Sequence, residues 1–240
     1  MTSGMTSDPL HAVAALGPYF AVEVGAARDA APPPGYRPLR ELYATGPDSP
    51  LAARVRQVAD RLHTREPRVA ASVMQLGLAA RFWSVALGTL ALTGRLPDLD
   101  QDRAHWRQLP EGPLDLWLPA PGTTPDEDLH HALVRTTLTP LNAAVRSATP
   151  VSERLLWGNA ASALVGTLRM MHRQLAAANP PAYRTAEDAT RSLLARAPLL
   201  GTLAAHGPTL RRTSCCLYYR IPGGGLCGDC VFDTPPTLAR

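Results

Sequence analysis

The stretch "VAASVMQLGLAARFWSVALGTLAL" occupies residues 69–92 of a 240-residue chain. Its length matches a bilayer crossing, so its reading decides what kind of fold the rest of the chain can make. Gln75 and Arg81 fall near its middle. An arginine at the centre of a membrane helix costs about 3 kcal/mol on insertion scales. The stretch is therefore read as a long helix buried between other helices, without a transmembrane span. An arginine inside such a helix needs an anionic partner, either an acidic side chain or a bound anionic ligand. Arg81 is thus both an expected structural ion pair and a candidate substrate-binding residue.

Working outward, "SPLAARVRQVADRLHT" opens with Ser49 and Pro50 as N-cap and first helical residue. Leu51, Val55, Val58 and Leu62 then recur at helical spacing. "PYFAVEV" (18–24) carries β-formers for a short strand, and "AAPPPGYRP" (30–38) is a loop because successive prolines exclude a helix. After the long helix, Gly94 and Pro97 supply stop signals. Residues 98–127 are rich in Pro, Gly and acids, apart from "LDLWLP" (114–119), whose alternation predicts a strand.

Helices follow over 126–147, interrupted at Pro140, and over 152–178, where Ser162, Ala163 and Gly166 make a closely packable face. A last helix begins at a Thr185 cap, with acids in its first turn, and breaks at Pro198. The expected fold is mainly α, with a few short strands. A helical body covers residues 1–206. A Cys-rich C-terminal lobe, 207–240, docks on it through Leu210, Leu217, Tyr218, Tyr219 and Ile221.

All 24 basic residues are arginines spread along the chain, and the formal charge is only +4. Nucleic-acid binders concentrate basic residues on one face or in one run, so nucleic acid is not an expected partner. The N-terminus, with Asp8 and Pro9 before a short apolar stretch, makes a poor signal peptide. The expected location is the cytoplasm, where cysteines serve metal ligation more often than disulfides.

The four cysteines all lie in "CCLYYRIPGGGLCGDC", residues 215–230. The pattern is C-C-x10-C-x2-C. Cys227 and Cys230 have the spacing of a metal half-site. Gly223, Gly224 and Gly225 let the chain bend back toward the first pair. Successive side chains of a strand point to opposite faces, so Cys215 and Cys216 converge only if the backbone there is irregular. A disulfide between neighbours is strained, and zinc sites separate their paired cysteines. A [2Fe-2S] cluster needs four cysteine ligands and is broader than one ion. The spacing favours the cluster and leaves a four-cysteine zinc site or idle thiols open. Arg211, Arg212 and Arg220 flank the motif and would offset the negative charge of a thiolate-bound cluster.

"RRTSCCLYYRIPGGGLCGDC" resembles the C-terminal signature of the FhuF-like siderophore ferric-iron reductases, particularly their actinobacterial members. Cys215, Cys216, Cys227 and Cys230 match that signature one for one. "RVAASVMQLGLAARFWSVALG" (68–88) and "LLWGNAASALVGTLRMM" (155–171) are similar to further segments of the family. The resemblance implies a [2Fe-2S] cluster on those four cysteines and one-electron reduction of siderophore-bound Fe(III) to labile Fe(II). That chemistry needs no catalytic nucleophile or base beyond the cluster. The alternatives are a non-redox siderophore-binding protein and a zinc-binding module.

No flavin or nucleotide fingerprint is present, since "GGG" lacks the required spacing and following helix. Electrons are then expected from another protein, such as a ferredoxin or flavin reductase, unless a small reductant suffices. Trp157 and Asn159, in "WGN", are candidates to line a substrate cleft, against the reading of a buried Trp beside a hydrogen-bonded Asn. His130 and His131 lack a ligand partner at helical spacing and are read as surface residues.

Overall fold

The computed structural model describes residues 9–124, 128–207 and 209–237. Residues 1–8 of the N-terminal stretch read as a poor signal peptide lie outside these. Six α-helices and eight short strands occur among the described residues, in keeping with a helix-rich fold.

The long helix α3 (Pro67–Thr93) is the hub. Its start is set by Pro67 in the first turn and its end by Gly94, which takes the left-handed conformation that a helix C-terminus favours. The helix is apolar almost all round because other helices cover it on several sides. These are α1 (Pro9–Ala14), α2 (Pro50–Arg61), α5 (Glu153–Leu175) and α6 (Pro180–Leu194). Its length and composition would suit a membrane crossing, but most of its apolar stretch is buried within this fold.

Small residues let the helices approach closely. Ala70, Ala71, Ala79 and Ala86 of α3 and Ala160 and Ala161 of α5 are fully buried. A β-carbon on Gly88 would stand 2.9 Å from Phe20 and Val13, so α1 and the segment after it pack directly on that glycine. Polar contacts fix the register of α3 against α5. Trp83 Nε1 donates to Ala160 O (2.9 Å), and Gln75 Nε2 donates to Asn142 Oδ1 (2.8 Å) and Leu156 O (3.3 Å).

Arg81 is 1% exposed, and among the described residues no carboxylate is bonded to it. Its guanidinium donates instead to the carbonyls of Leu114 (2.6 Å), Tyr19 (2.6 Å) and Ala21. Burial pushes its pKa down to about 10, which keeps it cationic at neutral pH. Hydrogen bonds to a charged donor contribute roughly 1.5–3 kcal/mol each, enough together to offset a desolvation penalty of several kcal/mol. The expected ion pair is thus replaced by a carbonyl cage that ties α3 to the β-layer.

That layer is a four-stranded sheet in the order β1 (Glu23–Val24), β5 (Asp115–Leu118), β4 (His105–Arg107), β2 (Arg37–Pro38). β1 runs parallel to β5, with Glu23 opposite Trp117, and the other pairings are antiparallel. A second small sheet joins β3 (Leu96–Pro97) to β6 (Thr123–Thr124). The strands expected over 18–24 and 114–119 are present but shorter. The expected loop over 30–38 ends in β2.

Three helix expectations need correction. The helix expected over 126–147 begins, among the described residues, as a π-helix, His130–Leu138. α4 (Thr139–Ala148) continues it with Pro140 in its first turn, where a missing N–H costs nothing. Pro140 therefore marks a change of helix type and no break. The last long helix starts at Asn179, whose side chain accepts from Ala182 N, and not at Thr185. Thr185 lies inside it and donates to Pro181 O. His130 is buried, with Nε2 2.8 Å from Ala197 O; only His131 is exposed.

Candidate metal centre

β7 (Leu203–His206) and β8 (Thr209–Arg212) form an antiparallel hairpin that delivers the chain to the cysteines. This hairpin straddles the boundary expected at residue 206. From its end, Arg212 N donates to Asp229 O (2.9 Å), which brings the second half of the motif beside the first. Cys230 N donates to Cys227 O (3.1 Å), closing a turn across the C-x2-C.

The backbone at the adjacent cysteines is irregular, as their convergence demands. Leu217 is left-handed, with φ +66°, a strained choice for a residue with a branched side chain. A 3-10 turn, Tyr218–Arg220, follows. The glycines then serve the return. Gly223 has φ +69°, and a β-carbon on Gly224 would lie 2.9 Å from both Ile221 O and Tyr218 O.

Cys216 Sγ and Cys227 Sγ are 3.4 Å apart. Cys215 Sγ accepts from Leu217 N (3.2 Å) and Cys230 Sγ from Phe232 N (3.4 Å). Cys216 and Cys230 are buried, and Cys215 and Cys227 are half-buried. The Cys216 thiol is pushed down in pKa, first by its hydrogen bond with Cys227 and then by Tyr218 N–H and Arg212. Cys227 is pushed up, first as the other party to that bond and then by burial. Burial pushes Cys215 up.

The lobe is tied to the body mainly by polar contacts. Ser72 Oγ of α3 donates to Cys216 O (2.6 Å). Asn159 Nδ2 of α5 donates to Ser72 O (2.9 Å) and lies 3.1 Å from Ser72 Oγ. Asn159 Oδ1 accepts from both terminal nitrogens of Arg212 (2.8 and 2.7 Å). Arg212 is 3% exposed, and its Nε lies 3.6 Å from Asp229 Oδ2, beyond hydrogen-bond reach. Arg220 Nε reaches Glu66 at the start of α3 (2.8 Å). Arg154 Nη2 donates to Thr213 O (3.1 Å).

The apolar docking face expected from five side chains is reduced. Leu217 packs on the core, Leu210, Tyr219 and Ile221 are half-buried, and Tyr218 is 40% exposed. A short tail built around a metal has little apolar area to give, so its anchoring falls to directed polar groups.

The three flanking arginines are not equivalent. Arg211 pairs with Asp233 (2.7 Å) and Arg220 with Glu66, while the buried Arg212 is held by the neutral Asn159 with Asp229 3.6 Å away. "WGN" is accounted for in the same way. Trp157 is buried with Nε1 3.5 Å from Glu153, Gly158 takes close contact from Ser214, and Asn159 holds Arg212. Ser72, Glu66, Gly158 and Asp229 were missed by sequence reasoning. Asp229 was legible as an acid between two ligand cysteines, and Ser72 as a hydroxyl in an apolar helix.

The residues fit a cluster. Four thiols are available, and a buried guanidinium N–H beside Cys216 lacks a hydrogen-bond acceptor. Among the described residues no three Cys, His, Asp or Glu side chains are gathered closely enough to hold a single ion. Residues 212–232 match the family model of the FhuF 2Fe-2S C-terminal domain. The cofactor is a [2Fe-2S] cluster. The match covers the FhuF-type segment and not the helical body. No curated protein matches the chain.

A polar cavity of about 800 Å³, lined by Arg28, Arg95, Asp100, Arg103 and His131 among others, opens beyond the C-terminal end of α3. Ser72, which touches the cysteine loop, and Thr93 are separated by about 30 Å of helix at 1.5 Å per residue. The cavity is therefore remote from the thiols.

Proposed function

We propose that the protein is a cytoplasmic ferric-siderophore reductase that accepts one electron from a ferredoxin or flavin reductase. The observation that carries this reading is the placement of the FhuF-type cysteines at the edge of the molecule. Cys215 and Cys227 are half-buried, and residues 222–225 and 228 beside them are exposed. When bound, the cluster supplies one-electron transfer.

The chain's own residues do the rest. Four thiols would hold the irons, and backbone N–H groups of Leu217 and Phe232 point at the sulfurs of Cys215 and Cys230. Such donors favour the more negative, reduced state. The nearly side-chain-free surface over 223–225 and 228 lets a bulky chelate come close without steric obstruction. Hard oxygen ligands hold Fe(III) far better than Fe(II), so one electron makes the iron labile.

The test uses anaerobically reduced protein mixed with ferric hydroxamate and ferric catecholate chelates. Reoxidation seen in the visible spectrum should match Fe(II) captured by a ferrous chelator, one iron per cluster. A cluster that stays reduced beside bound ferric chelate would identify a non-redox siderophore-binding protein instead.

A further inference from the structure

We infer that Cys216 and Cys227 bind one iron and Cys215 and Cys230 the other. This rests on the cluster assignment and the reductase reading, and specifies how this chain divides its ligands.

The division follows from distance and chain geometry. Thiolates bound tetrahedrally to one metal at about 2.3 Å stand about 3.8 Å apart, whereas ligands of different irons are separated further by the iron–iron vector. Cys216 Sγ and Cys227 Sγ lie 3.4 Å apart, close enough to share an iron after a small adjustment. Two ligands then remain for the second iron, Cys215 and Cys230. The chain supports that split. Cys215 Sγ accepts from Leu217 N while Cys216 Sγ lies against Cys227 Sγ, so the adjacent cysteines have different partners. Across the Cys227–Cys230 turn, Cys230 Sγ is held by Phe232 N. Each iron thus takes one ligand from each half of the motif. Neither is held until the Arg212 N to Asp229 O bond has brought the halves together.

The test is Mössbauer spectroscopy of ⁵⁷Fe-loaded, dithionite-reduced protein. Cys216→Ser and Cys227→Ser should both shift the same iron's doublet, and Cys215→Ser and Cys230→Ser the other one. For any variant that fails to assemble, proton NMR of the reduced wild-type protein reads the same partition. The cysteine β-protons of 216 and 227 should share one temperature dependence, and those of 215 and 230 the opposite one. Any other grouping overturns the division and leaves the reductase reading intact. Wild-type protein that never loads iron would overturn the reading and the division together.

Discussion

A β-carbon on Gly158 would stand 2.4 Å from Ser214 Oγ and 3.8 Å from Ser214 Cβ. The residue just before the first cysteine therefore rests on bare helix backbone. Gly158→Ala should gain about 1 kcal/mol of helix propensity yet lose about 1–3 kcal/mol to overpacking. We expect weaker retention of the cluster, measured as faster bleaching at elevated temperature. Adding Ser214→Ala removes the colliding oxygen and leaves an ordinary contact, so the double variant should recover. If Gly158→Ala bleaches at the wild-type rate, the close contact does not position the loop.

Arg212 and Asn159 give a second prediction. Asn159 is neutral, so it holds the guanidinium without cancelling its charge; Asp229, 3.6 Å from Nε, cancels part of it. Arg212→Gln removes the cation and leaves Asp229 uncompensated beside the cluster. The reduction potential should fall by tens of millivolts, where 59 mV is a factor of ten for one electron. Adding Asp229→Asn should restore part of the loss. Arg211→Gln and Arg220→Gln should move the potential less, because Asp233 and Glu66 already pair with them. A redox titration followed by electron paramagnetic resonance reads all of these. Equal shifts for the three arginines would show that only overall charge matters.

The contrast between these arginines marks what was legible in the sequence. Ligand cysteines announce themselves by type and spacing, and α3 by its unbroken apolar run. Ser49 and Gly94, which bound the helices, follow from local backbone chemistry. The partner of a buried side chain does not. Arg81 demanded an anion by every local argument, and three carbonyls 60, 62 and 33 residues away met the demand. Asn159 and Trp157 looked alike as cleft residues, yet one grips Arg212 and the other packs against the body. Those outcomes depend on how α5 crosses α3, which no local pattern encodes.

Glu66 and Arg220 yield a pH prediction. Hydrogen bonds from Arg220, and secondarily Arg68, hold the Glu66 carboxyl below its usual range. The folded state therefore binds that proton less readily than the unfolded one. The stabilisation is full above the ordinary carboxylate pKa and is lost as pH falls through the lowered folded value. Both side chains are partly exposed, at 32% and 23%, so the contribution is under about 1 kcal/mol. Glu66→Gln should thus be slightly less stable at pH 7, and the gap should close on acidification. Paired melts at each pH remove the acid lability common to both proteins. A gap that widens in acid would contradict the assigned sign.

The last prediction concerns access. A β-carbon added at Gly225 or Gly228 would meet nothing within 4 Å, and neither residue uses the left-handed backbone. A large side chain at either point should fit without disturbing the turn, unlike one at Gly223 or Gly224. Gly225→Trp and Gly228→Trp should load the cluster fully and keep the wild-type potential. They should nevertheless slow reoxidation by ferric siderophores, because an added indole holds a bulky chelate away from Cys227. Small oxidants that slip past the indole should react at nearly the wild-type rate. Stopped-flow traces with both oxidant classes separate steric exclusion from a change in driving force. If both variants reduce ferric siderophores as fast as the wild-type protein, the chelate approaches by another face, and the half-buried Cys215 side becomes the surface to block.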